Sequence, residues 1–132
     1  FVADSGGGKS TIARLAQSRT ILNDDRIILR KKKNKFKIFG TPWAGLMNMT
    51  SNRGAEIKDI FFLKKSKTNQ IISLNRIEAA KILFRNIVFF PLNETDINNA
   101  FRLCYEITYK LRCCQLRFKP EAAIWEKLDK FH

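Results

Sequence analysis

The chain opens with Phe1-Val2-Ala3-Asp4-Ser5-Gly6-Gly7-Gly8-Lys9-Ser10-Thr11, a stretch with the residue order of a phosphate-binding loop. An apolar start leads into three consecutive glycines, and Lys-Ser-Thr then opens an apolar-periodic segment typical of a helix. Glycines adopt positive φ and have no Cβ, so successive backbone N–H groups can converge on phosphate oxygens. The stretch therefore predicts a strand, a loop and a helix that together hold the phosphates of a nucleotide.

The residues of this loop have separate expected roles. In the usual pattern, Lys9 reaches the β- and γ-phosphates and the hydroxyl of Ser10 ligates Mg²⁺. One position departs from that pattern, because Ala3 stands where the first glycine is expected. The alternative is a glycine-rich turn that precedes a lysine by chance. The residues predicted to contact the nucleotide are Ser5, Gly6, Gly7, Gly8, Lys9, Ser10 and Thr11.

Length and composition predict one domain, spanning residues 1–132, with a single core. Apolar residues make up 45% of the chain, but no run approaches the roughly 18 apolar residues of a membrane span. We expect a soluble, cytoplasmic protein with no membrane partner. The three cysteines, Cys104, Cys113 and Cys114, lack the spacing of a zinc site or a disulfide framework. They are predicted to be buried thiols in a reducing compartment.

The chain is strongly basic, with 25 Lys and Arg against 12 Asp and Glu and a formal net charge of +13. Such an excess attracts polyanions, so nucleic acid has to be considered as a partner. The basic residues are scattered, however, and the one tight run, Arg30-Lys31-Lys32-Lys33, lies between two β-like segments as a hairpin tip would. We therefore expect a solvated surface or one that faces an acidic partner, rather than a nucleic-acid interface.

A pair of carboxylates is the second chemical feature of the sequence. Thr20-Ile21-Leu22 predicts a brief strand, and it ends in Asn23-Asp24-Asp25, with Asp24 only 15 residues after Lys9. A carboxylate at the end of an apolar strand beside a phosphate-binding loop holds Mg²⁺ or orients the nucleophile. Two adjacent carboxylates allow one to act at the metal and the other as a base. The alternative is a turn in which an aspartate only caps the next segment.

The next segments predict a hairpin and a loop. Residues 26–30 contain the apolar run Ile27-Ile28-Leu29, and residues 35–39 come close to alternating polar and apolar side chains, so the two segments predict the strands of a hairpin. Gly40-Thr41-Pro42-Trp43-Ala44-Gly45 predicts a loop, because it contains a proline and two glycines and has no periodicity. Trp43 is expected either to form a wall of the nucleotide or substrate site, or to pack under its own loop.

The second half of the chain predicts a further hairpin and then helices. Residues 56–63 and 70–74 are expected to form antiparallel partners. Asn75 and Asn93 are each followed three residues later by an acidic residue, a pattern typical of a helix start. Residues 113–118 predict a last strand, and Pro120 indicates the start of a last helix.

Taken together, A-D-S-G-G-G-K-S-T, N-D-D-R and F-x-I-F-G-T-P-W-A-G resemble the HPr kinase-like serine kinases of the phosphoenolpyruvate carboxykinase-like P-loop superfamily. Ser51-Asn52-Arg53-Gly54, the I-F-F-L run from Ile60, and Leu116-Arg117-Phe118-Lys119-Pro120 with Trp125 are similar to short relatives found in bacterial gene clusters, often beside peptide-modifying proteins. The resemblance covers nearly the whole chain. It implies an α/β fold (an α+β mixed sheet) with a P-loop kinase core of the HPr kinase/PEP carboxykinase type. We expect the N-terminal strands of that core to be missing, because only Phe1-Val2 precede the loop.

The resemblance also implies an activity, the Mg²⁺- and ATP-dependent transfer of the γ-phosphoryl group to a serine of a protein or peptide. It implies that Lys9 and the glycine amides hold the phosphates and that Ser10 binds the metal. Asp25 is expected to be the general base and Asp24 the supporting carboxylate at the metal. Arg53 is a further candidate for meeting the developing charge.

The chain departs from the family pattern in three ways, and one of them is the missing N-terminal strands, which leave open whether residues 1–132 are active by themselves. HPr kinase proper carries a histidine upstream of its P-loop, whereas the only histidine here is His132. The E-x-R-G motif of the bifunctional enzyme appears as Ser51-Asn52-Arg53-Gly54, without the glutamate, so reverse phosphorolysis is not expected unless Glu56 supplies the missing carboxylate. The alternatives are a nucleotide sensor or pseudokinase without turnover, a small-molecule kinase, and a nucleic-acid-binding P-loop protein. The protein is expected to be either a monomer or a homo-oligomer.

Overall fold

The computed structural model describes residues 1–131, and His132 lies outside this range. These residues form a mixed α/β fold with two small sheets. In chain order the elements are α1 (Lys9–Arg14), β1 (Ile27–Lys32), β2 (Lys35–Gly40), β3 (Gly54–Glu56), β4 (Asp59–Lys65), β5 (Gln70–Ser73), α2 (Arg76–Asn86), α3 (Glu94–Lys110), β6 (Arg112–Phe118) and α4 (Ala123–Asp129).

The larger sheet has the strand order β4-β6-β5, with β4 parallel to β6 and β5 antiparallel to β6. Val2 adds a parallel bridge on the other side of β4. Its N–H donates to the carbonyl of Phe61 at 2.8 Å, and its own carbonyl accepts from Leu63 N–H at 2.9 Å. Because Val2 runs parallel to β4 and β6, the glycine loop that follows lies at the carboxyl-end edge of these strands.

The predicted pairing of the two middle strands is wrong in one respect. Residues 70–74 were expected to pair with the strand immediately before them, but β5 pairs with β6, which lies between β4 and β5. The burial of the strands explains the order. In β6 the residues Cys113, Cys114, Leu116 and Phe118 are all buried, whereas β5 is mostly exposed. The strand with more buried residues, β6, therefore lies at the centre of the sheet, and the more exposed strand, β5, lies at an edge.

The smaller sheet is antiparallel with the order β1-β2-β3. The predicted hairpin is confirmed, and its tip is the Lys33–Asn34 turn, where Lys33 has a φ of 54°. On the inner side of this sheet, Phe36 is buried in the core and Lys31 forms an ion pair with Glu106 of α3 at 2.7 Å. These contacts fasten the smaller sheet to α3.

The strand predicted over residues 20–22 is not formed. The chain here makes only an isolated antiparallel bridge between Asn23 and Thr50, next to a hydrogen bond from Ser51 N–H to the carbonyl of Leu22 at 2.9 Å. The segment therefore runs beside the loop that precedes β3 and does not join either sheet.

Both predicted asparagine caps are confirmed. The side chain of Asn75 accepts from Glu78 N–H at 2.9 Å, and that of Asn93 accepts from Asp96 N–H at 3.1 Å. Each cap satisfies an N–H group that has no partner within its helix. The helices α2 and α3 contact each other and cover one face of the larger sheet, and α1 and α4 cover the opposite face.

The cysteines are free, buried thiols, as predicted. Burial raises the pKa of the Cys104 thiol to about 11. Burial, with smaller contributions from Cys114 and Asp59, raises the pKa of Cys113 to about 11. Thiols with such pKa values are protonated at neutral pH, so these two cysteines are not nucleophiles there.

No helix within residues 1–131 combines the length and the apolar character that crossing a membrane requires.

The packing of the larger sheet predicts that two leucines differ strongly in how much their substitution by alanine destabilises the protein. Leu116 in the centre of β6 is 0% exposed, whereas Leu46 is 99% exposed. We expect Leu116→Ala to lower the free energy of unfolding by about 2–5 kcal/mol, because it leaves a cavity in the core. The matched change Leu46→Ala is expected to stay within about 0.5 kcal/mol of the wild type. Urea unfolding followed by circular dichroism measures both, and equal stabilities of the two variants would contradict the placement of β6.

Candidate functional site

Two of the three consecutive glycines of the loop have the positive φ that their lack of a side chain allows. Gly6 has a φ of 74° and Gly8 a φ of 108°, both in the left-handed region that L side chains rarely adopt. A Cβ on Gly8 would lie 2.6 Å from Cζ of Phe118, and one on Gly7 would lie 2.6 Å from the Cβ of Ala3. Glycine is therefore required at position 8 both by its conformation and by its close contact with β6.

Backbone N–H groups are concentrated where this loop enters α1. Gly7 N–H donates to the carbonyl of Asp4 at 3.0 Å and closes the turn. Gly8 occupies the N-cap position but supplies no side-chain hydrogen bond to the helix. The first N–H groups of a helix have no acceptor within the helix, so those of Lys9 and Ser10 remain available. Available donors on a glycine turn form the kind of concave surface that binds anions.

The side chain of Lys9 is folded over the loop. Its Nζ donates to the carbonyl of Ala3 at 2.7 Å and to the carbonyl of Asp4 at 3.3 Å. Both carbonyls belong to the loop itself. The ammonium group is thereby held at the loop.

The helix that follows the loop is anchored by α4. Nε1 of Trp125 donates to the carbonyl of Ile12 at 3.2 Å, and the guanidinium of Arg19 lies 4.6 Å from the centroid of the Trp125 ring. Arg19 also forms an ion pair with Asp129. These contacts give Trp125 a defined role, because they fix both ends of the segment between residues 12 and 19.

Asp24 is buried, and its two carboxylate oxygens bind the backbone of the loop at Gly45 and Met47. Oδ1 accepts from Gly45 N–H at 2.8 Å and Oδ2 accepts from Met47 N–H at 2.6 Å. Burial raises the pKa of this carboxyl, but the backbone hydrogen bonds from Gly45 and Met47 outweigh that effect and leave the pKa below its ordinary value. Asp24 therefore has a clear structural role, and its predicted role at the metal stays a prediction.

Asn23 and Thr41 connect the aspartate pair to the Gly-Thr-Pro-Trp loop. Nδ2 of Asn23 donates to the carbonyl of Thr41 at 3.1 Å and to that of Trp43 at 2.9 Å. Its Oδ1 accepts from the N–H groups of Asp25 and Arg26 at 2.7 and 2.8 Å. Thr41 Oγ1 donates to the carbonyl of Arg26 at 2.9 Å. The backbone on which Asp25 sits is thus fixed from both sides.

The side chains of Asp25 and Trp43 are exposed. The carboxylate of Asp25 lies 3.5 Å from Nε of Arg26, and its side chain is 46% exposed. Trp43 is 66% exposed, so it does not pack under its own loop, and that alternative is wrong. Both side chains are accessible to a ligand, on a loop scaffold that Asn23 and Asp24 hold together.

The glycine loop and the aspartate pair are the two predicted parts of the site. Within residues 1–131, no hydrogen bond or ion pair joins the glycine loop to Asp24 or Asp25. The same residues contain no group of three or more His, Cys, Asp and Glu side chains placed to hold a metal ion. Ser10 is half-buried in the first turn of α1, and its role as a metal ligand stays a prediction.

The sequence did not reveal three of the residues that position these parts. Phe118 was assigned to the last strand and to one of the family-like motifs, but its contact with Gly8 links residues far apart in the chain. Asn23 and Thr41 belong to the N-D-D-R and G-T-P-W motifs, but nothing in their spacing predicts that they bond to each other.

Comparisons with protein-family models, with curated proteins and with solved structures found no match for this chain.

The hydrogen bonds of Asp24 predict a stability difference within the aspartate pair. Asp24→Asn replaces one acceptor oxygen by a donor, so a buried N–H loses its partner and the free energy of unfolding should fall by about 1–3 kcal/mol at pH 7. Asp25→Asn makes the same charge change at an exposed position and should cost less than about 0.5 kcal/mol.

The same difference is expected to depend on pH. Because the pKa of Asp24 is lowered by folding, its carboxylate contributes fully above the unfolded pKa of about 4, and the contribution is lost as the pH falls through the native pKa. The gap between wild type and Asp24→Asn should therefore narrow below about pH 4. Urea unfolding of both proteins between about pH 3 and pH 7 measures this difference in the free energy of unfolding. A difference that is absent at pH 7, or that does not change with pH, would contradict the assigned role of Asp24.

Proposed function

We propose that this protein binds ATP with Mg²⁺ at the glycine loop and transfers the γ-phosphoryl group to a serine of a protein or peptide. The observation that carries the proposal is the conformation of the loop. Gly6 and Gly8 are left-handed, and the ammonium of Lys9 is held over the loop by the Ala3 carbonyl. The finer assignment to a P-loop kinase core of the HPr kinase type and to the cytoplasm belongs to the same proposal.

The loop supplies the donors that the phosphates of ATP need. The N–H groups of Gly6, Gly8 and the first turn of α1 would donate to phosphate oxygens. The ammonium of Lys9 would leave the loop carbonyls and donate to oxygens of the β- and γ-phosphates. Its hydrogen bonds would become stronger, because the phosphate oxygens are charged and the carbonyls are neutral. Ser10 would hold Mg²⁺, which neutralises charge on the phosphate oxygens when bound.

The two aspartates would have different roles in the transfer. Asp24 has both oxygens engaged by backbone N–H groups and positions the segment on which Asp25 sits. Asp25 is exposed and would accept the proton of the acceptor hydroxyl. The serine oxygen then bonds to the γ-phosphorus as the bond from that phosphorus to the bridging oxygen breaks and ADP leaves. This requires the acceptor hydroxyl to lie about 2.6–3.2 Å from the Asp25 carboxylate, between the two parts of the site.

A nucleotide sensor without turnover is the second candidate. It is favoured because no hydrogen bond or ion pair within residues 1–131 joins Asp25 to the glycine loop. Such a protein would bind ATP through the same loop and the same lysine but would leave the γ-phosphoryl group in place.

Two substitutions separate binding from transfer. Asp25→Asn should lower the rate of label transfer from [γ-³²P]ATP to a serine-containing peptide library by about 10²- to 10⁴-fold, because the base is lost, with little change in the affinity for ATP. Lys9→Ala should weaken ATP binding by about 10-fold or more, because a charge-assisted hydrogen bond is lost. Calorimetry with MgATP measures the affinity.

The matched controls remove the same charges elsewhere. Glu94→Gln and Lys81→Ala lie at exposed positions of α3 and α2 and should behave as the wild type. Transfer that survives in Asp25→Asn would exclude this residue as the base. ATP binding by the wild type without label on any peptide would favour the sensor, and a Kd for MgATP that Lys9→Ala leaves unchanged would exclude binding at the glycine loop.

A further inference from the structure

The smaller sheet has one face that packs against the body of the protein and one that is open to solvent. Directly opposed residues on antiparallel strands lie on the same face. Leu29 and Phe36 are on the inner face and contact the core. The opposite side, here called the open face, is defined by the register of β1 with β2 and of β2 with β3 and comprises Ile28, Arg30, Lys32, Lys35, Lys37, Phe39, Gly54 and Glu56.

The open face is positively charged. Of its four basic side chains, Lys35 is neutralised by Glu56 through an ion pair of 2.9 Å. Arg30, Lys32 and Lys37 form no ion pair within residues 1–131. Their charges come from adjacent strands, so they are close enough together to act on one ligand.

A depression with two apolar walls, Ile28 and Phe39, lies beside these charges. It has a volume of about 220 Å³ and is lined by Ile28, Arg30 and Phe39. The ring of Phe39 rests on Gly54, where a Cβ would lie 2.6 Å from Cδ1 of the ring. Because Gly54 has no side chain, it leaves room for the ring of Phe39, which lines the depression.

We propose that the open face binds an extended acidic peptide segment of a partner protein, with one apolar side chain in the depression between Ile28 and Phe39. Carboxylates on the neighbouring residues of the peptide would pair with Arg30, Lys32 and Lys37. The charge of the face and the depression beside it select this chemistry together. This inference does not depend on the kinase proposal.

Two other occupants fit the open face less well. Single-stranded nucleic acid is bound by successive aromatic side chains on which bases stack, and the open face has one aromatic residue, Phe39, which is half-buried. A second copy of the chain would bring the same positive face, and two like-charged faces repel each other. An acidic peptide satisfies both the charges and the depression.

The probe for the test is a fluorescein-labelled peptide of glutamates around one central leucine, with binding followed by fluorescence anisotropy at low salt. Ile28→Asn should weaken binding by about tenfold, because the apolar contact is lost. Ile27→Asn is its control, since Ile27 is equally accessible (42% against 40%) but lies on the other face of β1. A peptide with alanine in place of leucine should also bind less tightly.

Charge is tested by a second matched pair. The double variant Arg30→Gln/Lys37→Gln should weaken binding by roughly five- to tenfold, whereas Arg85→Gln/Lys81→Gln, which removes the same charges from the exposed side of α2, should not. Circular dichroism confirms that each variant is folded.

Three results would overturn the proposal. The first is that the wild type does not bind the peptide. The second is that the Arg85→Gln/Lys81→Gln control loses as much affinity for the peptide as Arg30→Gln/Lys37→Gln does. The third is that the wild type binds an oligothymidine probe more tightly than the peptide and that Arg30→Gln/Lys37→Gln abolishes this binding. The last of these would assign the open face to nucleic acid.

Discussion

The contact between the ring of Phe118 and the backbone of Gly8 determines where the glycine loop meets the larger sheet. Phe118 ends β6, the central strand, and a single Cβ at position 8 would lie 2.6 Å from its ring. On the other side of β4, two backbone hydrogen bonds of Val2 align the start of the loop with the strand ends. The loop is therefore located by one close contact and one short pairing, and Lys9 and Ser10 take their positions from it.

The second part of the site depends on hydrogen bonds rather than on packing. The side chains of Asn23 and Asp24 engage the N–H groups or carbonyls of the backbone on both sides, so that three loop segments form one unit. Asp25 and Trp43 project from this unit into solvent. In the proposed kinase, the buried aspartate positions the exposed one, and an acceptor serine would have to bridge from Asp25 to the phosphate loop.

Local signals in the sequence predicted much of this structure. The glycine conformations, the asparagine caps of α2 and α3 and the β1-β2 hairpin each follow from residues within a few positions of one another. Contacts between distant residues could not be predicted in the same way. The insertion of β6 between β4 and β5 and the approach of Phe118 to Gly8 depend on which strand is the most buried, and that is a property of the whole core. Residues 20–22 have a strand-like composition, but the nearby loop supplies their partner and no strand forms.

The claim that the glycine loop binds the phosphates of a nucleotide is tested most directly by the amide signals of the loop. In ¹H–¹⁵N spectra of the labelled protein, titration with Mg²⁺ and a non-hydrolysable ATP analogue should shift the signals of Gly6, Gly8 and Lys9 the most, because their N–H groups would gain charged acceptors. Saturable shifts confined to this loop and its neighbours in β6 are the predicted result. Unchanged loop signals at saturating nucleotide, or larger shifts on the open face of the smaller sheet, would contradict the claim.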